Sequence, residues 1–475
     1  MELPAAGLGI DDVVRIAVDR VPLKLSAQNI AWIDAGAWRA REMAQLRPIY
    51  GRSTGVGANR SVSVHDPDRQ LDRLLRSHST SLGEPRAVVR VRAMVAVRIA
   101  QLALGGSGIS VTAVDGLIDG LNADALPVVL EGGSIGTGDL TALAGIGTWL
   151  LDHPGGARVL PGDGLPLISS NAGAIGDAAL AVTGLRRLAR AAVRVASLSF
   201  RAVCGNIEAF GPAVERATPF PGARLVCEGM RQGLDQDRYV DEPARIQDPF
   251  GLRAMPQGHG VFLDALDRAT EVVEAMINAP SENPVFDEQS GVTHHGAFHA
   301  AYLTQALDGL LLSLVQAAQL GMGRITMLAS PDLTGTPAFL ADGTPGASGT
   351  MALEFVAASA LARIRTFAAP VGGNTVTVSR GLEEDASFAS LSARHASDAI
   401  HAYQDLLACE LVAAARALAI GGRLPQWSEL EPMRPGLADV ADRDLTPDLQ
   451  LAALVVPELA GRFTAHRHRS VDLDH

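Results

Sequence analysis

The sequence is poor in cysteine, with three residues among 475, Cys204, Cys227 and Cys409. They are odd in number, far apart and set in apolar segments. A disulfide framework needs paired cysteines at recurring spacings, so this pattern predicts buried, reduced thiols instead.

Basic charge is also scarce relative to acidic charge. The chain has 40 Lys and Arg but 52 Asp and Glu, which gives a net charge of −12. Phosphate contacts need a basic face, and no arginine cluster here extends beyond one side of a predicted helix. We therefore expect small-molecule ligands and no nucleic-acid partner.

Long uninterrupted apolar runs are missing, because charge or glutamine breaks each candidate segment. The start, Met1-Glu-Leu-Pro-Ala-Ala, has no basic residues ahead of an apolar stretch. We expect neither a signal peptide nor a membrane span, and a cytoplasmic location.

Metal-ligand clusters are sparse as well. His294, His295 and His299 have helix-compatible spacing, but no carboxylate or cysteine stands out as a partner, so we expect no metal. The basic residues 462–469 are expected to form a solvated tail.

Apolar residues are abundant, at 47% of the chain, which is enough for a large core and two or more domains. Apolar spacing predicts helices at 10–21, at 27–46 and across 70–104, with a break at Gly83-Glu-Pro. A glycine- and proline-rich loop occupies 151–173, where short flanking strands are expected.

Five later segments predict long helices of about 20 residues or more, each about 30 Å long. Several are apolar on nearly all sides, so they belong inside a bundle or under other subunits. These predicted helices are 178–203, 257–277, 299–322, 349–369 and 387–420. The chain is predicted to be mainly α.

The central stretch is Glu131-Gly-Gly-Ser-Ile-Gly-Thr-Gly-Asp139, in which five of the first eight residues are Gly or Ser. An apolar helical pattern follows, and Thr137 or Asp139 marks the helix start. A glycine-rich loop of this kind can hold phosphate on backbone N–H groups, but this one lacks the Lys-Ser/Thr of a P-loop and no βαβ unit surrounds it.

Several segments together resemble the histidine and aromatic amino-acid ammonia-lyase family, in the family's order and over roughly residues 48–400. They include the 131–143 loop, Tyr50-Gly-Arg-Ser-Thr-Gly-Val-Gly, Leu74-Leu-Arg-Ser-His-Ser-Thr-Ser-Leu-Gly-Glu-Pro, Gln247-Asp-Pro-Phe-Gly-Leu-Arg, Glu282-Asn-Pro, His295-Gly-Ala-Phe-His, Pro345-Gly-Ala-Ser-Gly and Glu383-Glu-Asp.

The resemblance implies the ammonia-lyase (fumarase/aspartase-like) fold, with a central long-helix bundle and a smaller, mixed N-terminal domain. We expect residues 1–177 to form the N-terminal domain, carrying the Tyr50, His78 and 136–138 segments. Residues 178–475 would form the bundle and C-terminal helices. A homotetramer with active sites shared between subunits is also implied.

In that family an Ala-Ser-Gly tripeptide cyclises and loses water to form a methylidene-imidazolone electrophile, so no exogenous cofactor is expected. Counted back from Asp139, the equivalent residues here are Gly136, Thr137 and Gly138. Counted forward from Ser134, the loop is one residue short and the serine is missing. The sequence leaves both cyclised and uncyclised loops open.

The resemblance also assigns substrate contacts. Tyr50 corresponds to the family's catalytic base and Arg253 to its carboxylate anchor, a bidentate task suited to a guanidinium. His78 and Glu384 fall where histidine-specific members hold the imidazole, which favours a polar or cationic substrate side chain. Further expected binding residues are Gln247, Phe250, Phe298 and Asn171, with Ser169 as the competing position for the last.

Other polar residues of the family's site are replaced. Phe250 stands for a second tyrosine and has no hydroxyl, and the family's Asn, Arg and His are absent at Ala297, Gly323 and Ala386. Joint losses at one site indicate a changed or a lost reaction.

Two classes of function therefore stay open. One is an enzyme acting on an amino acid or related carboxylate, by ammonia elimination, by amine migration, or by an electrophile-free elimination or cyclisation if Thr137 stays unmodified. The other is a non-catalytic relative that binds a small molecule or a protein.

Overall fold

The computed structural model describes residues 1–153, 159–235 and 242–462. Within these ranges the chain forms eighteen α-helices and one two-stranded antiparallel sheet. The chain divides into two compact units. Unit 1 comprises 1–183, 268–308 and 370–397, and unit 2 comprises 184–267, 309–369 and 398–475.

Unit 1 contains seven complete α-helices and the sheet. They are α1 (Ile10–Ala17), α2 (Ala27–Leu46), α3 (Pro67–His78), α4 (Val88–Leu102), α5 (Val111–Asn122), α6 (Leu140–Asp152), α7 (Gly164–Ile168), β1 (Val285–Asp287) and β2 (Gly291–Thr293). In the hairpin, Phe286 pairs with Val292.

Unit 2 contains seven complete α-helices, and four long helices have residues in both units. Those of unit 2 are α9 (Pro212–Ala217), α10 (Pro221–Asp235), α11 (Phe250–Arg253), α14 (Pro331–Thr334), α15 (Met351–Phe367), α17 (Arg434–Leu437) and α18 (Thr446–Val455). The four long helices are α8 (Ala172–Ala202), α12 (Met255–Ile277), α13 (Ala301–Leu328) and α16 (Ala389–Ile420).

Local sequence explains where helices of unit 1 begin. Ser26 caps α2 by accepting a hydrogen bond from the amide of Asn29. Asp66 caps α3 in the same way, and Pro67 occupies the first turn, where its missing N–H costs nothing. Capping side chains therefore mark where these helices begin, and the apolar spacing marks the stretch that is helical.

Helix α4 forms the middle of unit 1, since all of its residues from Val91 to Leu102 are buried. Two of these are arginines. Arg98 donates to a Glu282 carboxylate oxygen at 2.9 Å, and Arg92 donates to backbone carbonyls of α1 and α5. Buried charges need such partners, so these contacts fix how α4 packs.

In unit 2 a deeply buried ion pair joins two long helices. Arg324 of α13 contacts both carboxylate oxygens of Glu410 on α16, at 2.6 and 2.9 Å. The Ser199 hydroxyl of α8 donates to the same carboxylate at 2.8 Å. The Arg324 and Glu410 side chains are 3% and 0% exposed. Each charge is therefore compensated by the other and not by water.

The mainly α prediction is confirmed, and five long helices occur where the apolar spacing predicted them. The first helix is shorter than predicted, because it ends at Ala17 ahead of a turn in which Arg20 has a positive φ of 56°. The expected strands beside 151–173 do not occur in the described part of that segment. Residues 154–158 and the tail from 463 lie outside the description.

Cys227 and Cys409 are buried free thiols, as predicted. Burial raises the pKa of Cys227 to about 11. Cys204 differs, because it is only half-buried and its sulfur accepts a hydrogen bond from Arg423.

Two helical stretches, 164–202 and Ala301–Leu328, are long and apolar enough to cross a membrane by length and composition alone. The core helix of a soluble protein passes the same test, and 94% of the first apolar window is buried. The division at residue 177 and the cytoplasmic location stay predictions.

The Arg324–Glu410 pair makes a stability prediction. A Glu410→Ala variant leaves Arg324 buried without its counter-charge, and we expect a loss of about 3–5 kcal/mol in the free energy of unfolding. The measurement is chemical denaturation followed by circular dichroism. The matched control is Asp405→Ala on the same helix, where the pair with Arg363 is half-exposed and contributes little. Equal midpoint shifts in the two variants would contradict the prediction.

Candidate functional site

The glycine-rich loop of unit 1 is fixed at its first residue by charge. Glu131 contacts Arg90, and it lies 3.6 Å from Arg86 and 2.9 Å from Arg394. Arg86 and Arg90 each also contact the buried Asp177 at 2.7 Å. This network ties the loop to α4, α8 and the start of α16.

At its other end, the loop is fixed by Asp139, which is buried. Its carboxylate accepts hydrogen bonds from the Ser134 hydroxyl and from the Ala174 amide in the first turn of α8, the latter at 2.8 Å. Burial raises the pKa of Asp139, and the two hydrogen bonds act in the opposite direction. Helix α6 begins at Leu140, but the Asp139 side chain does not cap it.

The carbonyl of Gly136 points at two donors from distant segments. The Ser387 hydroxyl lies 2.8 Å from its oxygen, and the Ala300 amide lies 3.2 Å away. Gly136 has a φ of 81°, and an added Cβ would lie 2.1 Å from the Ser387 oxygen. Any side chain at this position would displace the donor.

Two residues later, the Gly138 amide donates to the Asn171 side-chain oxygen at 3.0 Å. The Asn171 side-chain nitrogen donates to the carbonyl of Phe298. Ser169 instead accepts from the Asn283 amide at 3.2 Å. Of the two positions that the sequence left open, Asn171 is therefore the one that contacts the loop.

Thr137 lies between the hydrogen-bonded Gly136 carbonyl and the hydrogen-bonded Gly138 amide, and it is half-buried. Among the described residues, nothing hydrogen-bonds to its hydroxyl. Both residues that flank it are glycines, and the groups that closure of a ring by residues 136–138 would join, the Gly136 carbonyl and the Gly138 amide, are each held by a hydrogen bond. The product would carry a methyl group on the exocyclic carbon.

Tyr50 lies just after Ile49, a core residue that packs against Ala40 and the hairpin. The phenol oxygen accepts a hydrogen bond from the Gly57 amide at 2.6 Å. Burial is the main cause that raises the pKa of Tyr50, and the negative charge of Glu383 raises it further. The Gly57 hydrogen bond and the Arg60 charge lower it.

Glu383 is therefore a candidate that sequence reasoning missed. It is half-buried and accepts a hydrogen bond from the Ser379 hydroxyl at 2.8 Å, while the neighbouring Glu384 is exposed. The doublet in Glu383-Glu-Asp385 indicated acidic residues, but only the fold distinguishes the one that influences Tyr50.

His78 ends α3 and donates from Nδ1 to the Leu74 carbonyl at 2.9 Å. Its side chain lines a cavity of about 550 Å³ together with residues of the Tyr50-containing loop, among them Val56 and Asn59. The described structure records no contact between His78 and Glu384.

The segment around Phe298 follows the hairpin. Phe298 is half-buried, and its carbonyl accepts from Asn171. The next residue, His299, has its Nε2 atom 3.2 Å from an Asp385 carboxylate oxygen. No group of three or more metal-ligating side chains occurs among the described residues.

Three predicted binding residues lie in unit 2, and all are exposed. Arg253 donates from Nε to the Asp248 carbonyl at 2.9 Å, and its guanidinium stacks over the Phe250 ring at 4.2 Å from the centroid. Phe250 is 62% exposed. No hydrogen bond by the two terminal guanidinium nitrogens is recorded in the described chain. Gln247 lies on the same exposed segment.

Comparison with known proteins gives this arrangement its context. The family profile described as "Aromatic amino acid lyase" matches residues 8–160 and 155–434. Histidine ammonia-lyase of Geobacillus thermodenitrificans (strain NG80-2) is 30% identical, covering 94% of this chain and 95% of that protein. The corresponding enzyme of Burkholderia multivorans (strain ATCC 17616 / 249) is 31% identical, with 97% of each covered.

A solved structure is similar as well. Tyrosine aminomutase from Streptomyces globisporus superposes with a TM-score of 0.87 at 26% identity, covering 99% of this chain and 100% of that one. The resemblance seen in the sequence is thus confirmed at the level of family, fold and reaction class. The chain belongs to the aromatic amino acid lyase family and is a carbon–nitrogen lyase or aminomutase.

Proposed function

We propose that the protein eliminates or shifts the amino group of an α-amino acid with a polar or cationic side chain, using an electrophile formed from Gly136, Thr137 and Gly138. The proposal rests on two hydrogen bonds that fix the loop. The Gly136 carbonyl and the Gly138 amide are each hydrogen-bonded to a segment distant in sequence. Such a ring would supply an electrophile for the substrate, so that ammonia becomes a better leaving group.

Tyr50 is the proposed base for the β-proton of the substrate. Its oxygen already accepts the Gly57 N–H, which stabilises the phenolate. Since the pKa of Tyr50 is raised in the single chain, the phenol is protonated at neutral pH. Additional positive charge, from the substrate ammonium or a neighbouring subunit, would favour the phenolate needed for catalysis.

Arg253 is the proposed anchor for the substrate carboxylate. Its Nε atom and its ring-facing surface are engaged by Asp248 and Phe250, which leaves the terminal nitrogens for a bidentate contact. Because Arg253 is exposed, we propose that it serves a site completed by another subunit.

A homotetramer agrees with the exposed face of α13. The exposed positions of this helix follow three- and four-residue spacing and include Tyr302, Leu312, Gln316 and Gln319, and the only charged residues of α13, Asp308 and Arg324, are buried. A charge-free exposed stripe of this length is typical of an interface between subunits.

His78 and Glu384 are the proposed determinants of substrate side chain. His78 lines the cavity beside the Tyr50 loop, and Glu384 is exposed and available to a cationic or hydrogen-bonding group. Together they favour histidine-like substrates over phenylalanine-like ones.

An electrophile-free elimination is a second candidate. It is favoured by the joint replacement of polar groups at Phe250, Ala297, Gly323 and Ala386 and by threonine at position 137. In that case Tyr50 would remove a proton from a substrate with a better leaving group than ammonia.

The experiment that separates the two candidates is the mass of the proteolytic peptide that contains Thr137. We expect it to be lighter by two water molecules, together with acrylate formation or amine migration from histidine in preference to tyrosine and phenylalanine when the three are supplied. An unmodified peptide would reject the electrophile and favour the second candidate.

The proposed base makes a kinetic prediction. Tyr50→Phe keeps the ring but removes the hydroxyl, so we expect kcat to fall by roughly 10²-fold or more while the peptide mass stays that of the wild type. Turnover is measured by acrylate absorbance or amine release. Tyr403→Phe, which removes a hydroxyl buried beside Phe262 in unit 2, is the control. Undiminished turnover in Tyr50→Phe would rule out Tyr50 as the base.

The raised pKa of Tyr50 makes a separate prediction. Glu383→Gln removes a negative charge that disfavours the phenolate, so the pKa of Tyr50 should fall and the phenolate should appear at lower pH. The measurement is phenolate absorbance against pH, with the matching Tyr50→Phe protein subtracted. Glu384→Gln, one residue away and exposed, should leave the curve in place. A shift of equal size in both variants would contradict the assignment.

A further inference from the structure

We propose that the Ser387 hydroxyl and the Ala300 amide form an oxyanion site for closure of the 136–138 ring, and that Asn171 orients the attacking nitrogen. This inference rests on the proposed function, in which the loop matures. It assigns to Ser387 and Ala300 a part in making the electrophile, separate from turnover of substrate.

The reaction needs no oxidant or added reactant. The Gly138 nitrogen attacks the Gly136 carbonyl carbon, a C–N bond forms, and the Gly138 proton passes to the Gly136 oxygen. That oxygen then leaves as water with the Thr137 amide proton, giving a C=N bond. The Thr137 hydroxyl leaves as a second water with the Cα proton, giving the exocyclic C=C bond.

Negative charge develops on the Gly136 oxygen during the first step. Two donors already contact that oxygen, the Ser387 hydroxyl at 2.8 Å and the Ala300 amide at 3.2 Å. Donors fixed where charge develops stabilise the transition state without reorganisation. Ala300 also immediately precedes α13, so the positive end of a long helix dipole adds to the effect.

Ser387 is built into this position. It is 4% exposed, and its carbonyl accepts from the Thr304 hydroxyl at 2.8 Å. The side-chain oxygen of Ser387 accepts a longer hydrogen bond from the Ala389 amide at 3.4 Å. The hydroxyl proton of Ser387 is therefore left for the Gly136 carbonyl. The next amide, that of Phe388, donates to the Ile135 carbonyl at 2.8 Å.

The nucleophile is held from the other side. The Gly138 N–H points at the Asn171 side-chain oxygen, and the orientation of that amide is set by its nitrogen, which donates to the Phe298 carbonyl. As the C–N bond forms, positive charge grows on the Gly138 nitrogen, and the Asn171 oxygen stabilises it. Asn171 is 1% exposed, so water does not weaken this contact.

The same geometry accounts for glycine at position 136. A Cβ there would lie 2.1 Å from the Ser387 oxygen and 2.7 Å from the Phe388 and Ala389 amides. Alanine, the residue at the equivalent position of the family, would displace the donor. Glycine at position 136 is therefore what allows the Ser387 hydroxyl to approach the carbonyl so closely.

The test is the rate of maturation after synthesis. Full-length protein is made in a timed cell-free reaction, samples are digested, and the Thr137 peptide is followed by mass. We expect Ser387→Ala to slow the loss of water by roughly 10²-fold, as for removal of one oxyanion donor, with the unmodified peptide accumulating. Ser390→Ala is the matched control, because that hydroxyl donates at 3.1 Å to the Ser134 carbonyl, which does not react.

Two further variants keep the test decisive. Ser387→Cys retains the shape with a weaker donor, so an intermediate rate is expected even if the alanine variant does not fold. In a Thr137→Val background only ring closure can release water, and Ser387→Ala should slow the loss of that one water by the same factor.

The outcomes are distinct. A wild-type peptide that never loses water overturns the proposed electrophile and this inference with it. A wild-type peptide that matures, with Ser387→Ala as fast as Ser390→Ala, overturns the oxyanion site alone. Slow maturation confined to the Ser387 variants, with unchanged circular dichroism, supports it.

Discussion

The rest of the candidate site depends on the absence of a side chain at Gly136. Because no Cβ is present, the Ser387 hydroxyl approaches the Gly136 carbonyl directly, and the backbone adopts a φ of 81° that side chains rarely tolerate. This approach links the loop to the start of α16, while Ala300 links it to the start of α13. A flexible loop is thereby held in one arrangement by hydrogen bonds at successive carbonyls.

The two ends of the loop add a different kind of constraint. Glu131 is held among arginines, whereas the hydrogen bonds that the described residues make to the buried Asp139 come from neutral donors, the Ser134 hydroxyl and the Ala174 amide. Such a carboxylate is costly to bury unless its hydrogen bonds are complete. The hydrogen bonds that stabilise the buried Asp139 carboxylate therefore also restrict the position of the adjacent Gly138. They thereby help to set the direction of the Gly138 N–H.

Much of the fold could be predicted from sequence, because apolar spacing is a local signal that survives in each long helix. Tyr50 and Thr137 were found through resemblance, since their motifs are short and contiguous. Ser387 and Glu383 were not assigned roles, because their importance arises only when segments far apart in sequence meet. Ser387 is 251 residues from its partner Gly136, and no periodicity or motif spacing records such a contact.

Formation of the electrophile and binding of substrate have different structural requirements. The groups proposed to close the ring, Ser387, Ala300 and Asn171, are buried within unit 1. The proposed carboxylate anchor, Arg253, is exposed in unit 2, and Phe250 beside it is largely exposed too. Under the proposed function, ring closure would need only a folded chain, whereas the substrate site that includes Arg253 would be completed by another subunit. On that proposal the two events would be separable in time, because maturation would precede or accompany assembly and turnover would follow it.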